Sequence, residues 1–221
     1  MESGKQIENI LKSIPSGVKL IAVTKTHPVE VILQAYKSGH KIFGENKVQE
    51  MIQKYQELPK DIEWHLIGHL QTNKVKFAAP FVSMIHSVDS QKLLQVINTE
   101  ADKNSRIIDC LLQVRIAREE TKFGLSYEEL KSILKNVEIY QNIRICGLMG
   151  MATFTDDENI IRSEFKRCKE IFEEIKNLYF YNVSYFKEIS MGMSDDYLIA
   201  IEEGSTMVRI GSKIFGQRNY T

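Results

Sequence analysis

Several common features are scarce in this chain. Three cysteines among 221 residues, Cys110, Cys146 and Cys168, are odd in number and far apart. They form no metal-ligand or redox spacing and read as small buried hydrophobes in a reducing compartment. Four prolines and 12 glycines are spread thinly and mark no linker. No run approaches the ~18 apolar residues of a membrane span. The opening MESGKQIENILKSIPSG lacks the apolar core and cleavage site of a secretion signal. Excess charge is missing too: 29 Lys and Arg balance 29 Asp and Glu. That argues against a generic nucleic-acid binder, yet leaves room for one local basic site for a small anion. Neither a Walker A nor a GxGxxG sequence occurs. The expectation is a soluble, cytoplasmic protein with no membrane or nucleic-acid partner.

What is present is a repeated alternation. Hydrophobic residues make up 43%, enough for a chain of this length to bury about 70% of its unfolded surface. Eight short apolar runs read as strands: Val18–Lys25, Lys41–Asn46, Glu63–Gly68, Met84–Val88, Ile107–Val114, Arg144–Met149, Glu188–Met191 and Met207–Gly211. Several are apolar on both faces, as parallel strands under helices should be. Helical patterns separate them. Pro28 opens one that Gly39 ends. Ser126 and Glu129 form a capping box ahead of Leu130, Ile133 and Leu134. Ile161, Phe165, Cys168, Phe172 and Ile175 make one stripe of a long amphipathic helix. A further helix, about Ile7–Ile14, precedes the first strand. Residues 1–221 are expected to form a single α/β domain, a compact (β/α)8 TIM-type barrel with an extra N-terminal helix. An open doubly wound sheet is the rival, weakened because the first turn, Thr24-Lys25-Thr26-His27-Pro28, has no glycine.

In such a barrel the chemistry sits at the C-terminal strand ends. Lys25 ends the first strand on the face of Val23 and Ile21. An inward lysine there would be desolvated and nucleophilic, as Schiff-base chemistry needs; the alternative is a solvated loop residue. Ser190 to Asp196 joins strand seven to a helix and offers an anion site, although Ser194 or Asp195 could simply cap that helix. Gly211 would let a ligand approach the end of strand eight, with Ser212 beside it. Arg209 would point inward, like many salt-bridged core arginines. His65 and His69 are four apart, but Gly68 breaks a helix and no metal is expected. A lysine facing a phosphate cradle suggests pyridoxal 5′-phosphate (PLP).

IAVTKTHPVE, FGENKVQE, EWHLIGHLQTNK, GLMGMAT, SMGMSDDYLIAIEEGSTMVRIGSKIFG and Arg218-Asn219-Tyr220 together resemble the pyridoxal phosphate homeostasis protein family. Its members are PLP-binding barrels related to the N-terminal barrel of alanine racemase. The resemblance runs from about Val18 to Tyr220. It implies PLP on Lys25, phosphate contacts from Ser190, Gly192, Met193, Gly211 and Ser212, and Arg209 facing the pyridine nitrogen. Asn46 and His65 would line the pocket. It also implies a carrier or buffer of PLP that affects amino-acid and keto-acid balance, without turnover. Expected partners are PLP and PLP-dependent apo-enzymes, and the expected state is a monomer. Two arguments agree with holding rather than processing: an arginine damps the ring as an electron sink, and few residues follow strand eight from which to build a second catalytic domain. The alternatives are a small PLP-dependent racemase or lyase, and a cofactor-free Schiff-base aldolase.

Overall fold

The computed structural model describes residues 2–117 and 123–216. The strands β1 (Lys19–Val23), β2 (Ile42–Glu45), β3 (Glu63–Leu66), β4 (Met84–Val88), β5 (Ile108–Gln113), β6 (Ile143–Met149), β7 (Glu188–Ser190) and β8 (Met207–Ile210) run parallel in chain order and close into a barrel. Around them lie α1 (Glu2–Ser13), α2 (Val29–Lys37), α3 (Val48–Glu57), α4 (Val75–Ala78), α5 (Gln91–Lys103), α6 (Tyr127–Leu134), α7 (Glu158–Tyr179), α8 (Tyr197–Glu202) and α9 (Ser212–Phe215). All eight predicted strands form, each within two residues of its expected ends.

Local chemistry explains the boundaries. Pro28 precedes α2, and Gly39 takes the left-handed conformation, φ 96°, just past its end. Ser126 and Glu129 exchange both hydrogen bonds of a capping box at the start of α6. The helix after β7 begins later than its sequence suggests. Neither Ser194 nor Asp195 caps it; Asp196 occupies the N-cap, and its carboxylate accepts a hydrogen bond from the Met193 amide instead.

Alternation divides the barrel into two cores. Outward residues such as Leu20, Phe43, Trp64, Ile85, Ile189 and Val208 meet the helices in one large apolar layer. Inward residues form a smaller, methionine-rich plug: Ile21, Met84, Leu111, Cys146, Met149 and Met207. Gly147 keeps β6 in phase. It sits at a register shift against β5 with φ 153°, and a Cβ there would lie 1.8 Å from the Glu188 carbonyl oxygen. The extra residue turns Met149 inward again. Cys110, Cys146 and Cys168 are all buried free thiols. Burial pushes Cys146 and Cys168 up to about 12, so both are protonated and inert near neutrality.

Candidate functional site

Above the apolar plug, at the C-terminal strand ends, a cavity of about 280 Å³ is lined by Lys25, Asn46, Met193, Arg209, Gly211 and Ser212. Val23, His27, Ile67, Met151, Phe154, Ser194 and Asp195 complete much of its wall. Two cationic side chains against one carboxylate favour an anionic ligand. Six of the nine residues singled out in the sequence therefore share one cavity.

Lys25 lies between the two expectations for it. β1 ends at Val23, so Lys25 belongs to the following turn. It is nevertheless half-buried and faces the cavity. The turn is held from outside the barrel. The Thr24 hydroxyl donates to Glu45 Oε1 at 2.5 Å, and the Lys54 ammonium donates to the Thr24 carbonyl at 2.7 Å.

Beside Lys25, rather than across the mouth from it, stand the loops after β7 and β8, because β8 pairs with β1 in the closed barrel. The Gly211 amide donates to Ser194 Oγ at 3.3 Å, which ties the two loops together. Ser212 is exposed beside it, on the cavity wall. Gly192 does not line the cavity. Its φ is 86°, and a Cβ would sit 2.6 Å from Ala200 Cβ, so it is glycine for the turn onto α8. Gly211 also has a packing reason, because a Cβ would come within 3.2 Å of the Val23 carbonyl oxygen.

Beneath the cavity, Arg209 is buried in the barrel. Its Nη1 donates to the Ser190 carbonyl at 2.8 Å and to Ser190 Oγ at 2.6 Å, and its Nη2 donates to the Gly150 carbonyl at 3.1 Å. No carboxylate ion pair touches it among the described residues. Burial lowers its pKa to about 10, which still leaves it charged near neutrality. Three of its five N–H groups are used in these bonds. The Nε proton and one Nη2 proton remain, and each can only donate.

Ser190 is where geometry departs most from the sequence reading. Its side chain is fully buried and does not line the cavity. His86 Nδ1 is 3.0 Å from its oxygen, and His86 Nε2 is 2.9 Å from His65 Nδ1. Arginine only donates, so the Ser190 hydroxyl accepts from Arg209; donating its own proton to His86 Nδ1, its other described partner, is the arrangement that leaves that buried proton satisfied. In that tautomer His86 carries its proton on Nε2 and donates to His65. The result is a one-way chain, Arg209 to Ser190 to His86 to His65, across the barrel interior. Burial holds His65 down to about 3 and His86 well below its ordinary value, as two neutral rings require. His65 thus stands within the barrel rather than at the cavity wall. His69 is elsewhere, on the rim, 3.0 Å from Asp89 and stacked on Phe123. The two histidines do not converge on a metal.

His86 was missed from sequence, although alternation from Met84 places it inward. Lys54 was missed as well. Its signal was its spacing from Val48 and Met51, which puts a lysine on the buried stripe of α3.

The alanine racemase N-terminal domain family matches residues 5–219. A relative from Aquifex aeolicus, named pyridoxal phosphate homeostasis protein, is 42% identical over 91% of this chain and 88% of its own. PipY of Synechococcus elongatus, solved with PLP bound, superposes with a TM-score of 0.89 at 34% identity, covering 97% of this chain and all of PipY. An alanine racemase from E. faecalis shares the barrel alone: TM-score 0.77, 16% identity, 98% of this chain against 58% of the racemase. The chain therefore belongs to the alanine racemase N-terminal domain family, among the barrels whose curated members are named pyridoxal phosphate homeostasis protein.

Proposed function

We propose that this protein binds pyridoxal 5′-phosphate and serves PLP homeostasis, holding the molecule rather than using it to transform substrates. The observation that carries this is one cavity shared by a half-buried lysine, the neighbouring serine- and glycine-bearing loops and a buried arginine below. When bound, PLP supplies an aldehyde carbon and an electron-withdrawing ring. The donor set fits each part of it. Lys25 offers the amine to which the aldehyde attaches. Ser212 is the proposed phosphate contact, with the side-chain-free Gly211 beside it, and Met193 and Asn46 shape the walls. Arg209 is assigned to the pyridine nitrogen, where a group that only donates keeps the ring neutral.

Ser190, Gly192 and His65 act on this reading through other residues: Ser190 and His65 hold Arg209, and Gly192 shapes the loop. The name shared by many relatives, pyridoxal phosphate homeostasis protein, supports a holding role. PLP-dependent apo-enzymes are the proposed recipients, a monomer the proposed working form and the cytoplasm the proposed setting. The three free buried thiols suit a reducing compartment, and no helix among the described residues is long and apolar enough to cross a membrane.

The test is titration with PLP followed by incubation with a panel of amino acids. The expected result is one equivalent bound and no racemisation or elimination above that given by free PLP. Turnover well above the free-PLP rate would establish a small PLP enzyme instead.

A further inference from the structure

We infer that Glu45, Glu50 and Lys54 are positioning residues for Lys25, clamping the turn that carries it so that its amine meets an aldehyde ligand in register; this rests on the assignment of Lys25 above. The two residues flanking Lys25 are tied to a single ion cluster. On one side, the Thr24 hydroxyl and carbonyl are bound by Glu45 and Lys54. On the other, the Thr26 amide donates to Glu50 Oε1 at 2.6 Å. The cluster closes on itself, because Lys54 Nζ donates to Glu45 Oε1 at 2.6 Å and to Glu50 Oε1 at 2.7 Å. With the Thr24 carbonyl, that accounts for all three ammonium protons.

Two features point to positioning rather than to stability. First, the Lys54 and Glu45 side chains are 5% and 0% exposed. Burying an ion pair is a poor way to stabilise a fold, since apolar residues of similar volume often do as well or better. Second, Thr26 has φ 67°, a left-handed conformation that β-branched residues rarely adopt. Strain of this kind persists only where surrounding contacts over-determine it. Here Glu50 supplies such a contact, one residue from the lysine. Because Glu50 and Lys54 both sit on α3, the orientation of that helix is coupled to the turn.

The experiment compares PLP with pyridoxine 5′-phosphate, which keeps ring and phosphate but has an alcohol in place of the aldehyde. The parent protein is expected to prefer the aldehyde. Glu50→Ala should lose that preference by about tenfold or more, a size typical of small misplacements of a reacting group. Its affinity for pyridoxine 5′-phosphate should not change. Glu50→Gln keeps an oxygen facing Thr26 and Lys54 and should retain most of the preference. Thr26→Gly, which frees the turn without touching the ion cluster, should lose it in the same direction. Glu50 is partly exposed, so Glu50→Ala should fold, and a thermal scan verifies it. Equal weakening of both ligands, or no change in either, would overturn the positioning role. A parent protein without preference for the aldehyde would remove the Lys25 assignment itself, and the role of the cluster with it.

Discussion

Ser190→Ala separates a serine that holds a ligand from one that holds a side chain. In the structure its hydroxyl accepts from Arg209 at 2.6 Å and lies 3.0 Å from His86 Nδ1. Removing it deletes a hydrogen bond to a charged group, about 1.5–3 kcal/mol, and leaves a buried imidazole acceptor unsatisfied, about 1–3 kcal/mol. Partial relaxation should leave a net loss of roughly 2–5 kcal/mol. At about 2–4 °C per kcal/mol for a chain of this size, Tm should fall by roughly 10 °C. Binding should weaken by a similar factor for PLP and for dephosphorylated pyridoxal, because both would sense a less well-held Arg209. The assay is a thermal scan of the ligand-free protein together with equilibrium titration by the two ligands. An unchanged Tm with weakened binding of PLP alone would refute the reasoning. It would place the Ser190 hydroxyl on the phosphate.

The contrasting substitution is Ser212→Ala. It should leave Tm nearly unchanged and cost PLP about 1.5–3 kcal/mol, while sparing pyridoxal; equal losses for the two ligands would make Ser212 a residue of the fold. Gly147→Ala should fail to give folded protein, because its Cβ would overlap the Glu188 carbonyl oxygen at 1.8 Å; normal circular dichroism and Tm would contradict the register of β6. Stability should also fall with acid. His65 is held near 3 in the fold against an ordinary value of 6.5, so the unfolded chain binds more protons between those limits. The contribution is complete above pH ~6.5 and is lost as pH falls toward 3. A plot of Tm against pH should therefore drop from pH 6.5 to 4, less steeply in His65→Gln; matching slopes would mean that His65 is already charged in the fold.

Much of this was legible in the sequence because period-2 and period-3.6 patterns carry the barrel. Met84–Val88 was placed to the residue, and Lys25, Arg209 and Ser212 were placed at one mouth because strand ends in a parallel barrel share a face. What escaped lies in contacts between elements far apart in sequence. Nothing near Ser190 announces that its hydroxyl is taken up by His86, 104 residues away. Gly192 is fixed in a similar way by the turn onto α8, where φ is 86° and a Cβ would sit 2.6 Å from Ala200 Cβ, a contact that no local pattern announces. Lys54 was hidden by the habit of reading helix lysines as solvated, although only its carboxylate partners make its burial tolerable.

The most direct test of the central claim is borohydride reduction of the PLP-loaded protein, followed by peptide mass mapping. The account predicts one phosphopyridoxyl group, on Lys25, and none in Lys25→Ala, which should still bind PLP weakly through the remaining cavity groups. A label on Lys213, Lys47 or Lys74, or an undiminished label in Lys25→Ala, would contradict it.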